Sequence, residues 1–250
     1  MRKILISGAS RGIGKAIALK LLKEGHLLSL GVREREDLFN TKLDPKSNNS
    51  EKFLVHAYDA TDQDSSKEWV EKTVESFENI DTVIHCAGIF KRTNLLFNDN
   101  EMKDIEDLWK VNVMGPWILT KHAWKYLSLS NSSRIIVLVS MSGKRSKGSL
   151  ASYSMSKFAL MSLCQTMRNE GWEKGIRVTA ICPGWVNTDM AKEINHFPKK
   201  DMIQSNDIAS ISFKLAQPLI VDSYTKNRGT GAFIIVDESS YHTVGAGMIE

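Results

Sequence analysis

The sequence has few cysteines, and their spacing suits neither a disulfide framework nor a metal site. It contains three, Cys86, Cys164 and Cys182, an odd number without a CxxC pair. Cys86 and Cys182 follow apolar runs, where a cysteine usually behaves as a small buried residue. The six histidines form no HxxxH pair and no His/Cys cluster. We therefore expect a reducing, cytoplasmic location and no bound metal.

Long apolar stretches and a strong excess of one charge are also missing. The opening residues 1–6 imitate a signal peptide, but the apolar run stops at once, and no other run approaches the roughly 18 residues that cross a membrane. Lys and Arg number 33 against 29 Asp and Glu, and the excess is spread along the chain. The basic run 144–147 (KRSK) is typical of a solvated loop. We expect neither a membrane nor a nucleic acid as a partner.

What the sequence does contain is an alternation of apolar runs and helix-like stretches. Seven short runs have the character of strands: 3–7, 27–32, 53–58, 81–86, 134–140, 176–181 and 232–237. Most are near-continuous rather than alternating, as in strands that are buried on both faces of a parallel sheet. The helical stretches between them are 12–24, 65–78, 101–127, 152–171 and 206–216. This pattern predicts one α/β domain over residues 1–250, a doubly wound parallel sheet of about seven strands flanked by helices.

The first predicted strand runs directly into a glycine-rich stretch, SGASRGIG, at residues 7–14. Glycines between a strand and a helix allow a tight turn whose backbone N–H groups reach a pyrophosphate at the helix N-terminus. The spacing GxxxGxG differs from the more familiar GxGxxG, and any tight turn favours glycine because of positive φ. Since the stretch lies at the first βα junction of an alternating chain, we favour a dinucleotide site over a plain turn.

A tyrosine and a lysine lie four residues apart in YSMSK, residues 153–157, and would share one face of a helix. A lysine cation about 4 Å from a phenol stabilises the phenolate by roughly 4 kcal/mol at an effective dielectric near 20. This would lower the pKa of the phenol towards the pH at which acid–base catalysis is efficient. An exposed Tyr/Lys pair is the plain alternative for the motif alone. Ser140, which ends the apolar run 134–140 where open α/β sheets bind ligands, and Asn112 favour the tuned acid.

These motifs together resemble the short-chain dehydrogenases/reductases, in their common single-domain branch of this length. The resemblance covers essentially the whole chain and rests on Gly8-x-x-x-Gly12-x-Gly14, Asp59, Ala87-Gly88, Asn112, Ser140, Tyr153-x-x-x-Lys157, Pro183-Gly184 and Thr188. It implies a Rossmann-like fold and an NAD(P)-dependent oxidoreductase that interconverts a small-molecule carbonyl and an alcohol. It also implies a homotetramer or homodimer, with contacts through the helix 152–171 and the C-terminal strand.

The resemblance assigns a role to each catalytic residue. Tyr153 would exchange a proton with the substrate oxygen, and Ser140 would donate a hydrogen bond to that oxygen. Lys157 would lower the pKa of the tyrosine and hold the nicotinamide ribose, while Asn112 would anchor a water in a proton relay. Trp185 and residues 190–205 would shape the substrate pocket. The cofactor-binding residues it implies are Gly8, Ser10, Arg11, Gly12, Ile13, Gly14, Arg33, Asp59, Ala60, Cys86, Ala87, Gly88, Tyr153, Lys157, Pro183, Gly184, Val186 and Thr188.

The choice between the two nicotinamide dinucleotides depends on the residue directly after the second strand. NAD-binding relatives place an acid there for the ribose 2′-OH, whereas this chain has Arg33, with Arg11 offered from the glycine turn. Two guanidinium groups can hold a 2′-phosphate, which favours NADP(H) over NAD(H). Glu34 and Glu36 argue the other way, because a register shift of one or two residues would bring an acid forward.

One departure and two alternatives remain open. The family usually has Asn-Asn before Ala-Gly where this chain has His85-Cys86, so that a thiol replaces an amide. A regulatory protein that senses the dinucleotide without turnover is the main alternative, although such relatives tend to lose the Tyr or the Lys. An epimerase or dehydratase of the longer related branch would need an extra substrate domain, for which 250 residues leave no room.

Overall fold

The computed structural model describes residues 1–46, 52–130, 132–184, 186–192, 232–237 and 242–248. The chain divides into two compact units, Met1–Asp207 and Ile208–Glu250. The predicted helix 206–216, Trp185 and most of the segment 190–205 lie outside the described residues. Within the described residues, no helix combines the length and the apolar character that a membrane crossing requires.

The first unit is built on a parallel sheet of six strands in the order β3-β2-β1-β4-β5-β6. The strands are β1 Lys3–Ser7, β2 Leu27–Val32, β3 Phe53–Ala57, β4 Thr82–His85, β5 Ser133–Leu138 and β6 Ile176–Ile181. The chain first moves outward from β1 to β3 and then returns to the other side with β4. Such a reversal opens a crevice at the carboxyl ends of β1 and β4, where doubly wound sheets bind their ligands.

Helices cover both faces of this sheet. They are α1 Gly12–Lys23, α2 Gln63–Phe77, α3 Met102–Trp109, α4 Gly115–Leu127, α5 Ala151–Gly171 and the short α6 Asp189–Lys192. Along β1, Ile4 and Ile6 pack on the α1 face, while Leu5 packs on the face of α2, α4 and α5. Side chains on both faces of the strand are therefore buried, which explains the near-continuous apolar runs of the sequence.

The long predicted helix 101–127 forms, but with an irregularity in its middle. A π-helical turn at Lys110–Met114 joins α3 to α4. Pro116 lies in the first turn of α4 and has no N–H to donate to the carbonyl four residues earlier, that of Asn112. A single π turn of this kind frequently marks a functional site.

The fold class is confirmed, with one difference in the strand count. The run 232–237 does form a strand, β7 Ala232–Asp237, but it pairs antiparallel with β8 His242–Met248 in a separate two-stranded sheet. Only four residues separate the two strands in sequence. A hairpin needs no more than that, whereas a parallel neighbour needs a crossover of about a dozen residues or more. Among the described residues, the parallel sheet has six strands rather than about seven.

Candidate active site

A cavity of about 980 Å³ follows the carboxyl ends of the parallel strands. Its wall contains every residue predicted to bind the cofactor, together with Ser140. Asn112, which is fully buried, lies behind the wall. The structure thus brings together the residues on which the resemblance rests, in one cavity of a size that suits a dinucleotide and a small substrate.

The glycine turn fits a pyrophosphate by its backbone geometry. Gly8 and Gly12 have φ of +69° and +56°, in the left-handed region that favours glycine. A Cβ on Gly8 would come within 2.7 Å of the Ala87 nitrogen, and a Cβ on Gly14 within 2.2 Å of the Gly8 oxygen. No described side chain caps the start of α1 at Arg11, so its first N–H groups remain available to an anion.

The end of the cavity at β2 and β3 carries charges of both signs. Arg11 and Arg33 line it, as do Glu34 and Asp37. The sequence pointed to Glu34, whereas Asp37 follows from the short helical turn Arg35–Leu38, which no pattern indicated. At the end of β3, the Asp59 carboxylate accepts two hydrogen bonds from Thr61, from N–H and hydroxyl, both at 2.8 Å.

The two residues that depart from the family pattern point to opposite faces of the sheet. Cys86 lies beside the first turn of α1, where a Cβ on Gly14 would be 3.1 Å from the Cys86 Cβ. Burial raises the pKa of its thiol to about 12, so the thiol is neutral. His85 is buried on the other face and pairs through Nε2 with the Thr120 hydroxyl of α4 at 2.9 Å. Burial lowers the pKa of His85 to about 4.

Tyr153, Ser140 and Lys157 meet at the centre of the cavity wall. Tyr153 and Lys157 lie on the first two turns of α5, and both are buried although they line the cavity. The phenol interacts with the Ser140 side chain, whose hydroxyl accepts from the Ser142 N–H at 3.1 Å. The Lys157 ammonium donates to the Leu138 carbonyl at 3.3 Å. This arrangement can hold a proton donor beside a polar group at the end of β5.

The ionisation of this pair differs from the expectation. Burial raises the pKa of the Tyr153 phenol above its ordinary value, and the Ser140 side chain only partly opposes this rise. Burial also lowers the pKa of Lys157 to about 8. The Lys157 Nζ lies 5.7 Å from the centroid of the Tyr153 ring. Burial is thus the largest influence on both pKa values, and near neutral pH the phenol carries its proton.

Asn112 holds three segments together from behind the wall. Its side-chain oxygen accepts from the Ile89 N–H at 2.9 Å, and its amide nitrogen donates to the Ile89 carbonyl at 3.0 Å. The same nitrogen donates to the Ser156 hydroxyl at 3.1 Å, which in turn donates to the Tyr153 carbonyl at 2.7 Å. The side chain is thus fully engaged. Pro116 has no N–H and therefore donates no hydrogen bond to the Asn112 backbone carbonyl. That carbonyl is the group available to a proton relay.

One residue of the site, Phe90, has no signal in the sequence. The Phe90 ring meets the Tyr153 ring edge-on, with centroids 4.8 Å apart, and so restricts the phenol. The loop that carries Phe90 is tied to the start of α5, because Ala151 N–H donates to the Thr93 carbonyl at 3.0 Å. A single apolar residue in a loop follows no period or motif, so only the folded chain identifies it.

Comparison with known proteins is consistent with this geometry. The family model described as short chain dehydrogenase matches residues 2–199. Agropine synthesis reductase of Rhizobium rhizogenes is 40% identical over 209 residues, which are 83% of this chain and 47% of that protein. This chain therefore spans about half the length of that curated relative. A second family model, GTP-eEF1A C-terminal domain-like, matches residues 186–250.

Solved structures show the same relationship. An alcohol dehydrogenase from the archaeon Thermococcus sibiricus, complexed with 5-hydroxy-NADP, has a TM-score of 0.69 at 27% identity and covers 78% of this chain and 81% of its own. ElxO with NADP bound has a TM-score of 0.70 at 27% identity and covers 77% of each chain. With the sheet order, the glycine turn and the match over residues 2–199, these likenesses identify the chain as a member of the short-chain dehydrogenase family.

Proposed function

We propose that this protein is an NADP(H)-dependent oxidoreductase that interconverts a carbonyl and an alcohol, with Tyr153 as the general acid and base. The observation that carries the proposal is the meeting of Tyr153, Ser140 and Lys157 on the wall of the cavity that the glycine turn also lines. The match to the short-chain dehydrogenase family model over residues 2–199 and the likeness to an alcohol dehydrogenase of known structure support the reaction class.

The side chains divide the chemistry between them. When it is bound, a nicotinamide dinucleotide supplies or accepts the hydride. Tyr153 is protonated near neutral pH and gives its phenolic proton to the carbonyl oxygen during reduction. Ser140 donates a hydrogen bond to the same oxygen as negative charge develops there. In the alcohol-to-carbonyl direction, the phenolate takes the proton back.

Lys157 and Asn112 support the proton donor. The Lys157 ammonium lies on the same wall and stabilises the phenolate that remains after proton transfer. It would also donate to the nicotinamide ribose. A water on the Asn112 backbone carbonyl would return a proton to Tyr153 from solvent, because π-helical geometry and Pro116 leave that carbonyl without its usual donor.

Arg11 and Arg33 support the choice of NADP(H). Both line the cavity where β2 ends, and both are exposed enough to approach a 2′-phosphate. Two relatives of known structure are described with NADP or a modified NADP bound. Glu34 and Asp37 at the same place oppose an added phosphate, and the two arginines must outweigh them.

Replacement of both arginines by alanine tests this preference. We expect the Michaelis constant for NADPH to rise at least about tenfold, which is about 1.4 kcal/mol, while NADH kinetics barely change. Steady-state kinetics with both dinucleotides provide the measurement. A wild-type protein that prefers NADH would contradict the preference and leave the role of Tyr153 intact.

The reaction class is tested with a panel of ketones, quinones, sugars and 3-oxoacyl thioesters, followed by absorbance of the reduced nicotinamide. We expect consumption of NADPH with at least one class. Binding of NADPH, seen by its fluorescence, without consumption across the whole panel would favour the alternative of a catalytically silent dinucleotide sensor.

We also propose that the protein is a homodimer or homotetramer. Trp109, Met155 and Phe158 expose 48%, 63% and 44% of their surface on α3 and α5. Trp109 and Met155 line one shallow apolar depression between those helices. Large apolar side chains grouped in this way mark an interaction surface, and sedimentation equilibrium would measure the assembly directly.

A further inference from the structure

The basic run 144–147 is not uniformly a solvated loop. Arg145 and Lys147 line the cavity, whereas Lys144 is exposed and does not. The Arg145 side chain is only partly exposed. Two of the three cations of the run, the partly exposed Arg145 and the exposed Lys147, therefore border the cavity.

The chain path places these cations beside the reacting groups. Residues 141–150 connect Ser140 with the start of α5, which begins two residues before Tyr153. The Arg145 N–H donates to the Met141 carbonyl at 3.0 Å, so the segment is folded back on the turn that begins at Ser140. Arg145 and Lys147 consequently lie on the Tyr153 side of the cavity, away from the end lined by Arg11 and Arg33.

Other charged residues line the same cavity. Arg92 adds a cation from the loop after β4, and Asp107 and Asp189 add two carboxylates. Arg145 and Lys147 form no ion pair with any residue in the described ranges. Both cations can therefore attract a negatively charged group.

We propose, on the basis of the carbonyl–alcohol function above, that the substrate carries an anionic group, a carboxylate or a phosphate, which Arg145 and Lys147 bind. A guanidinium presents a planar fork to such an anion, and an ammonium adds a point charge. Charge-assisted contacts of this kind position the remote end of a substrate, so that its carbonyl is held at Tyr153 and Ser140.

Two matched pairs of carbonyl compounds test the proposal at low ionic strength. They are 4-oxopentanoate with its methyl ester, and dihydroxyacetone phosphate with dihydroxyacetone. The first pair isolates a carboxylate and the second a phosphate. The protein is compared with the double variant Arg145→Gln/Lys147→Gln and with Lys144→Gln, the matched control that removes a neighbouring charge outside the cavity.

We expect kcat/KM for at least one anion to exceed that of its neutral partner at least about tenfold in the wild type. In the double variant, this ratio of kcat/KM values should fall at least about fivefold, whereas Lys144→Gln should keep the wild-type ratio. Neutral compounds that react as well as both anions, or a ratio that survives in the double variant, would overturn the proposal.

Calorimetry tests the anion site independently of the proposed carbonyl–alcohol reaction. If none of the four compounds is turned over, binding of the two anions to the NADPH-loaded protein is measured. Binding that is lost in the double variant and kept in Lys144→Gln supports the anion site even though the proposed reaction has failed. An absence of anion binding, or equal binding to all variants, overturns it.

Discussion

At the scale of single residues, burial decides the charge states of the site. Burial raises the pKa of the Tyr153 phenol further above neutral pH, so the phenol keeps its proton, and burial lowers the pKa of Lys157 to about 8. A neutral phenol next to an easily titrated lysine is a suitable resting state for a proton donor. The lysine is then the group whose ionisation falls within the working range of pH.

The pH dependence of cofactor use follows from Lys157. Its pKa is lowered to about 8, so the ammonium that should hold the ribose is lost as the pH rises above that value. We expect kcat/KM for the cofactor, which reports the free protein, to be flat below about pH 7.5 and to fall above it.

A Lys157→Arg variant provides the control for this profile. The guanidinium stays charged throughout, so the fall above pH 8 should disappear whatever the absolute rate. A wild-type profile that remains flat to about pH 9.5 would show that Lys157 does not hold the cofactor through its charge.

At the scale of elements, close backbone contact shapes the cofactor end of the site. The β1–α1 turn presses against the end of β4 at Gly8, and α1 presses against that turn at Gly14. The two glycines serve different needs. Gly8 has positive φ as well as a close neighbour, whereas Gly14 is required only for space, because its Cβ position would overlap the Gly8 oxygen.

Gly14→Ala should therefore be costly for a steric reason. We expect a loss of about 3 kcal/mol in the free energy of unfolding, measured with urea, and a large loss of NADPH affinity as α1 shifts. Gly25→Ala is the matched control, since Gly25 has φ of +82° but nothing within 4 Å of its Cβ position. It should cost about 1 kcal/mol and leave affinity unchanged. Equal effects of the two variants would contradict the packing account.

At the scale of the whole molecule, stability should depend on a buried histidine. The pKa of His85 falls from 6.5 to about 4 on folding, so between those values the unfolded chain binds more protons than the folded one. Stability is then present above pH 6.5 and is lost as the pH falls towards 4. At about 1.4 kcal/mol per pKa unit, the titration of His85 alone contributes roughly 3 kcal/mol of this loss of stability.

The His85→Asn variant tests this linkage, because an amide can keep a hydrogen bond to Thr120 without titrating. We expect its free energy of unfolding to decline less than that of the wild type between pH 6.5 and 4.5. His56, whose pKa burial also lowers to about 4, remains in both proteins and cancels in the comparison. Parallel curves for the two proteins would contradict the assignment to His85.

The sequence was informative where local chemistry determines structure. Strands such as 27–32 and the glycine turn follow from apolar runs and backbone geometry, and the structure has them where they were predicted. The pairing of 232–237 could not be read, because an apolar run does not reveal its partner. The position of Phe90 and the raised pKa of Tyr153 depend on three-dimensional burial, which no spacing records. The organisation of residues 1–250 as one domain stays a prediction.

The central claim is that Tyr153 transfers the proton, and Tyr153→Phe tests it most directly because only a hydroxyl is removed. The ring contact with Phe90 should persist, so the cavity should keep its shape. With a substrate found in the carbonyl panel, we expect turnover to fall below about a tenth of the wild-type rate while the Kd for NADPH, measured by fluorescence, stays almost unchanged. A variant that retained more than about a tenth of the wild-type rate would show that another group supplies the proton, and the mechanism proposed for this site would be wrong.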